Sequence, residues 1–412
     1  MHDYFRTRPL LLGLSALLLA AGLPAPIASA ALAEPPQPQS KKTQPAPKAA
    51  EGALADRIAD RVNREMNDYA LVGVSVGIIK GGEVIFSGGW GWEDRDKHVP
   101  VSDVTSYSWA SCSKTLTAAL AMQLWSDGKL DLDRDVREYV PEWPLKKWQN
   151  ADARITSRLL LEHQSGIPRS PGGVTKSVPP SQDTDHPYAD VVAALRQFQD
   201  MPLKFKPGAV FGYSNGGYLL LAAAEQRAAG APYEQLVHDR IAAHLGLSSL
   251  KPDFSWDPPA HRAKGYAAGG KKEALKLNSD TQFNLPACGW TSTVSDFARY
   301  TAAFLGERLV DEHMKRTMWV NQRTATGQTT PYGFGFFVGG RAYNHLVLTH
   351  SGGSSVASTY MVLVPSDKPG QGAGVVIMCN TSGARLGRLA NDLLLMINVD
   401  GCYADQSEPF DD

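Results

Sequence analysis

Val72, Val74, Val76 and Ile78 alternate along Gly73-Val74-Ser75-Val76-Gly77-Ile78-Ile79-Lys80, the chain turns at Gly81-Gly82, and the alternation resumes at Val84 and Phe86. Apolar residues at every second position on both sides of a diglycine predict a β-hairpin. Gly73-x-Ser75-x-Gly77 also matches, letter for letter, the nucleophile elbow of many hydrolases. That elbow needs a strand, a sharp turn at the serine and then a helix. Here the alternation runs straight through Ser75 to the hairpin, so Ser75 is read as a strand residue and the match as accidental.

Upstream, Leu54, Ile58, Val62 and Met66 lie four apart within residues 51–69, the spacing of one helix face. Downstream, helical patterns occupy 111–127 (stopped by Gly128), 216–229, 233–244 (stopped by Gly246) and 294–305. Strand patterns return at 333–338, 345–349, 357–364 and 373–379, and a last helix is expected at about 384–398. Strands at both ends with helices between predict an α/β (α+β) protein, one sheet built from both ends of the chain, with an inserted helical subdomain. The expected domain covers 51–400: an α/β part at 51–110 and 290–400, a helical part at 111–289, and then a tail at 401–412. The proline- and glycine-rich stretch from Gln164 to Asp190 is an irregular loop, read either as the lip of a site or as a surface insertion.

Arg6 and Arg8 precede an apolar run from Leu10 to Leu23, which ends before Ala28-Ser29-Ala30. A basic start, a short apolar middle and an A-x-A end predict a signal peptide over 1–30 and an exported, periplasmic or secreted protein. A second triplet, Ala31-Leu32-Ala33, leaves the cut between Ala30 and Ala33 open. The run is shorter than the ~20 residues that span a bilayer, and no later stretch suggests a membrane span in the mature chain. Residues 31–50, rich in proline and polar side chains, are expected to be a disordered linker. With 41 Lys and Arg against 42 Asp and Glu, the net charge of −1 gives no electrostatic reason to expect nucleic acid as a partner. Four cysteines, Cys112, Cys288, Cys379 and Cys402, are too few for a disulfide framework and form no Cys-x-x-Cys pair. His-Glu-x-x-His, the Walker A loop and the dinucleotide-binding glycine pattern are absent, so neither a metal nor an organic cofactor is expected.

Three Ser-x-x-Lys stretches remain. Ser126-Asp127-Gly128-Lys129 straddles a helix stop, and Ser248-Ser249-Leu250-Lys251 runs into Pro252. Ser111-Cys112-Ser113-Lys114 instead opens a helix whose buried side is marked by Leu116, Leu120 and Leu124. Positions i and i+3 are neighbours on a helix, which puts the lysine amine within reach of the serine hydroxyl. A serine is a weak nucleophile until a base removes its proton, and a lysine serves as that base only as the free amine. Two further stretches carry suitable groups. Tyr213-Ser214-Asn215 sits on a turn before a helix, and a strand pattern leads into His350-Ser351-Gly352-Gly353, where small residues let a substrate lie against the backbone.

Taken in order, Ser111-x-x-Lys114, Tyr213-Ser214-Asn215 and His350-Ser351-Gly352 resemble the three motifs of the penicillin-recognising serine hydrolases, the class C β-lactamase, DD-peptidase and related esterase family. KLDLDRDVREYVPEW, ITSRLLLEHQSGIP, KPGAVFGYSNGGYLLL, TSTVSDFARY and YGFGF add to the likeness, which extends over roughly 53–399. The resemblance implies a β-lactamase/transpeptidase-like fold with an antiparallel sheet flanked by helices. It implies that Ser111 forms an acyl-enzyme, with Lys114 and Tyr213 sharing general-base and general-acid work in an order left open. Asn215 would bind substrate and hold Lys114. His350 would polarise Tyr213 or meet a substrate carboxylate, next to the substrate-binding Ser351 and Gly352. The backbone N–H groups of Ser111 and Gly353 would form the oxyanion hole.

The chain departs from class C β-lactamases in having His350 where they have lysine, which resembles DD-carboxypeptidases, D-aminopeptidases and β-lactamase-like esterases. Cys288, in Pro286-Ala287-Cys288-Gly289-Trp290, stands where many relatives carry glycine. His163 matches a family signature and is expected to buttress its loop. The implied activity is acyl transfer from a carboxyl ester or amide, of esterase, D-amino-acid peptidase or DD-carboxypeptidase type, on a small-molecule or peptide substrate. The alternatives are a true class C-like β-lactamase, or a weakly active penicillin- or peptide-binding relative. Oligomeric state and disulfide pairing are not encoded in these motifs.

Overall fold

The computed structural model describes residues 52–169, 188–254, 257–270, 284–339, 346–366 and 371–397, all within the unit Ala46–Asp412. The expected signal peptide and linker, most of the proline-rich loop, Cys402 and the tail lie outside the described residues. The first elements are α1 (Gly52–Tyr69), β1 (Gly73–Lys80), β2 (Glu83–Asp94), β3 (Val99–Pro100) and β4 (Ser106–Ser108). Then come α2 (Ser113–Ser126), β5 (Lys146–Trp148), β6 (Ala151–Ala153), α3 (Ser157–Leu161), α4 (Val191–Ala194) and α5 (Asn215–Ala229). α6 (Tyr233–Val237) and α7 (Ala243–Leu245) are joined by a π-helical turn, His238–Ala242, where the sequence predicts one helix. β7 (Lys251–Pro252), α8 (Leu285–Cys288), β8 (Trp290–Thr293), α9 (Val294–Leu305) and α10 (Glu312–Met318) follow. The last elements are β9 (Phe337–Gly339), β10 (Val347–Gly353), β11 (Ser358–Val364), β12 (Ala373–Cys379) and α11 (Gly387–Met396).

Seven strands form one antiparallel sheet in the order β3-β2-β1-β12-β11-β10-β9, so its two halves come from opposite ends of the domain and meet where β1 pairs β12. Alternation then decides the layers. Val74, Val76 and Ile78 of β1, with Val375 and Ile377 of β12, share a core with Ile58 and Val62 of α1 and Leu389 and Leu393 of α11. Val376 and Met378 point the other way, into the core that holds Phe297 and Ala298 of α9. Gly77 and Ser75 follow from this packing. A Cβ on Gly77 would lie 2.8 Å from Ala298 Cβ, and Ser75 Oγ donates to the Tyr107 hydroxyl at 3.1 Å. The elbow-like match is thus a strand segment shaped for a close helix, as the alternation predicts. In the stretch of chain that separates the two sheet halves, α2, α5 and α8 pack on one another. Among the described residues no helix is long and apolar enough to cross a membrane.

The strand expected at 333–338 is only Phe337–Gly339. Gly335 has φ +80° and a Cβ on Gly333 would lie 2.0 Å from the Met318 carbonyl oxygen, so Tyr332–Phe336 bends where its aromatic alternation suggests extension. β10 differs in the other direction, running on from Val347 through His350-Ser351-Gly352-Gly353.

Candidate active site

Ser111 is held at a turn made rigid on both sides. Trp109, fully buried, accepts Cys112 N–H at 3.0 Å on its carbonyl, donates its own N–H to Trp290 O at 2.8 Å, and ties its indole N–H to Ser292 Oγ at 2.7 Å. Ala110 has φ +44°, a left-handed conformation uncommon outside glycine and a form of local strain often found beside reacting groups. A 3₁₀ turn, Ala110–Cys112, then leads into α2. In that tighter winding i and i+3 side chains eclipse, and Lys114 Nζ comes to 3.3 Å from Ser111 Oγ. Lys114 is fully buried; its amine also donates to Asn215 Oδ1 at 2.7 Å and to Ala287 O at 2.9 Å. All three of these partners are uncharged. The other two Ser-x-x-Lys stretches lie apart from this cluster, with Ser126, Lys129 and Ser248 exposed.

The turn that carries Tyr213 is clasped by residues 163–166. Gly208 and Gly212 donate their N–H groups to Gln164 O and His163 O, both at 2.8 Å, and Ser214 N–H donates to His163 Nδ1 at 3.1 Å. The His163 ring lies 4.2 Å from that of Tyr213. His163 is buried, and burial above all holds its pKa well below the usual 6.5, which keeps Nδ1 free to accept. Ser214 caps α5, accepting from Gly217 N–H at 2.9 Å, so Asn215 opens that helix with its amide on Lys114. The Tyr213 ring centroid is 4.7 Å from Lys114 Nζ.

β10 is fastened to the head of α2. Thr359 of β11 donates to Ser108 O at 2.8 Å, and Cys112 Sγ lies 3.4 Å from His350 O. A Cβ on Gly352 would stand 2.3 Å from Trp109 O and 3.1 Å from Ser111 N, whereas one on Gly353 would meet nothing within 4 Å. Gly352→Ala is therefore expected to push the strand from the Ser111 turn and cut kcat/KM about a hundredfold, the scale of a 1 Å misplacement. Gly353→Ala should keep its melting temperature. Melting curves and steady-state kinetics on both variants check this, and an unimpaired Gly352→Ala protein would refute the packing argument.

The structure brings Ser111, Lys114, Tyr213, Asn215 and the His350–Gly353 strand into one cluster. It places the His350 ring 6.4 Å from that of Tyr213, but its nitrogens face elsewhere: Nε2 is 3.0 Å from the Tyr332 hydroxyl and Nδ1 is 2.7 Å from Ser351 O. Sequence reasoning gave Tyr332 and the Ala287 carbonyl no role. Tyr332 stands in the quoted YGFGF stretch and was there to be noticed; a backbone carbonyl leaves no trace in the sequence. Among the described residues, no disulfide joins Cys112, Cys288 and Cys379. Burial pushes the Cys288 thiol up against the opposing pull of Lys114, which disfavours the reactive thiolate.

Comparison with known proteins adds to this geometry. "Serine beta-lactamase-like protein LACTB, mitochondrial" of Mus musculus is 26% identical, with 86% of this chain and 83% of that protein covered. Among solved structures, "EstCE1, a hydrolase with promiscuous acyltransferase activity" has a TM-score of 0.68 at 20% identity, covering 85% of this chain and 99% of that one. The D-amino acid amidase of Ochrobactrum anthropi SV3 has a TM-score of 0.66 at 20% identity, covering 84% and 99%. The two structural likenesses establish the shared fold. The family model described as Beta-lactamase matches residues 58–397, and the chain belongs to that β-lactamase family of serine hydrolases.

Proposed function

We propose that the protein is an exported hydrolase that opens carboxyl esters or amides through an acyl-enzyme on Ser111. The observation that carries this is the buried Lys114 amine, 3.3 Å from Ser111 Oγ and held by Asn215 and Ala287 O. Ser111 Oγ attacks the carbonyl carbon as its proton passes to the Lys114–Tyr213 pair. The oxyanion takes the N–H groups of Ser111 and Gly353, an arrangement in which one donor is worth about 3 kcal/mol in the transition state. The pair returns the proton to the departing alcohol or amine, and water then adds to the acyl carbon and frees Ser111. A hydrolase with promiscuous acyltransferase activity and a D-amino acid amidase, both of the same fold, support an ester or amide as acyl donor. The third motif begins with His350 instead of lysine, which puts β-lactam hydrolysis and simple penicillin binding second. Arg6, Arg8, the apolar run to Leu23 and Ala28-Ser29-Ala30 support export, and N-terminal sequencing of the mature protein tests it.

Labelling with a fluorophosphonate, then kinetics on p-nitrophenyl esters, D-Ala-D-Ala peptides and a cephalosporin, decides the reading. One label per chain, lost in Ser111→Ala, with turnover of an ester or amide, is expected. Labelling without turnover of any of them would make the protein a binder, and labelling that survives Ser111→Ala would remove Ser111 from the mechanism.

A further inference from the structure

Which acyl donors fit is a question the His350 environment answers. Its side chain is fully buried. The Ser351 carbonyl, 2.7 Å from Nδ1, can only accept, so Nδ1 carries the ring proton. Nε2 then presents a lone pair, and the Tyr332 hydroxyl 3.0 Å away donates to it. Tyr332 cannot swing aside: it too is fully buried, its ring 4.7 Å from His163 and 4.8 Å from Phe337, and its carbonyl accepts Gln322 N–H at 3.2 Å. A second proton on His350 would have to reverse that bond, with Nε2–H donating to the Tyr332 oxygen and the phenol proton turned elsewhere, and would sit as a cation away from water. The groups around the ring do not favour such a cation. Lys114 and Cys112 face it from the head of α2, His163 from its loop, Tyr213 from the turn before α5, and Phe337 from β9 at 5.7 Å. None of these is a carboxylate. Burial above all accordingly pushes the imidazole down to about 3.

We propose that Tyr332 locks His350 as a neutral imidazole turned away from substrate, so that this end of the site offers no cation and selects acyl donors without a carboxylate. The inference rests on acyl transfer at Ser111 and narrows it: neutral esters and amides are favoured over peptides or lactams recognised through an acid group. Tyr332 is on this account a positioning residue, acting through His350. The exposed Arg169, whose guanidinium carbon is 5.8 Å from the Tyr213 ring centroid, is a competing cation beside Tyr213.

The test compares two esters of equal acyl length, p-nitrophenyl butyrate and p-nitrophenyl hemisuccinate, on the full mature chain between about pH 5.5 and 8. Butyrate is expected to lead in kcat/KM by about tenfold or more, one tenfold step being 1.4 kcal/mol, with a ratio that does not change with pH. In Tyr332→Phe the imidazole loses its lock, and the ratio should fall severalfold at acid pH and recover toward pH 8. Nitrogen-15 spectra of the wild-type histidines, with His350 assigned through His350→Asn, should show an Nδ1–H tautomer that does not titrate in this range. Equal or faster hydrolysis of hemisuccinate, a wild-type ratio with a midpoint between pH 6 and 7, or an Nε2–H tautomer would each overturn the proposal. If neither ester is hydrolysed through Ser111, acyl transfer itself fails, and the spectrum still decides whether the lock exists. Should Tyr332→Phe not fold, the wild-type ratio and spectrum decide alone.

Discussion

Replacing Lys114 by methionine is expected to slow acylation of Ser111 by about three orders of magnitude, within the range assigned to general-base catalysis, while the protein stays folded. Methionine keeps the length and volume of the side chain, so α2 should hold its packing. What disappears is the nitrogen 3.3 Å from Ser111 Oγ, together with its bonds to Asn215 Oδ1 and Ala287 O. Stranding those two acceptors costs about 1–3 kcal/mol each, which should appear as a lowered melting temperature without loss of cooperativity. Tyr213→Phe should cause a comparable fall in rate with little loss of stability. If the two side chains form one proton relay, the double variant is scarcely slower than either single one, because removing either breaks the unit. Pre-steady-state release of p-nitrophenol measures acylation directly. A Lys114→Met enzyme within tenfold of wild type would show that the amine is there only to tie α2, α5 and α8 together.

Ser111 and Lys114 were legible as a pair because helical spacing is local: three residues fix their separation whatever the rest of the chain does. The β1–β2 hairpin was legible for the same reason, its two strands being joined by a diglycine turn. Tyr332–Phe336 misled because period-two alternation reports which residues are buried, not whether the backbone is extended. Gly333 and Gly335 let that stretch bend and still bury Tyr332, Phe334 and Phe336. In 233–244 apolar spacing could not distinguish a continuous helix from one interrupted by the π-turn at His238–Ala242. The partners of His350 were out of reach because ring tautomers depend on contacts set by tertiary packing. Its nitrogens are satisfied by a hydroxyl eighteen residues upstream and by the neighbouring carbonyl, and no motif states either.

Glu225 should make the protein lose stability as pH rises, and its replacement by glutamine should remove that loss. The residue lies in α5, fully buried, and neither carboxyl oxygen has a hydrogen-bond partner among the described residues. Burial alone raises its pKa well above the usual 4.5, so the folded protein keeps the proton that the unfolded chain gives up. Between those two pKa values the folded state binds more protons. The favourable contribution is whole below the unfolded value and drains away as pH climbs, at up to about 1.4 kcal/mol per pH unit for one proton. Glu162, raised to about 7 by burial, acts with the same sign over a narrower window. His350, held at about 3, acts with the opposite sign, adding stability as pH rises from there to the unfolded histidine value. Both are present in wild type and in Glu225→Gln, so the difference between the two proteins isolates Glu225. Urea unfolding at successive pH values should give curves that diverge above pH 5, with the glutamine variant gaining steadily. Parallel curves would mean that the carboxyl finds a partner, or water, on ionising, and that the core around α5 is wetter than its packing implies.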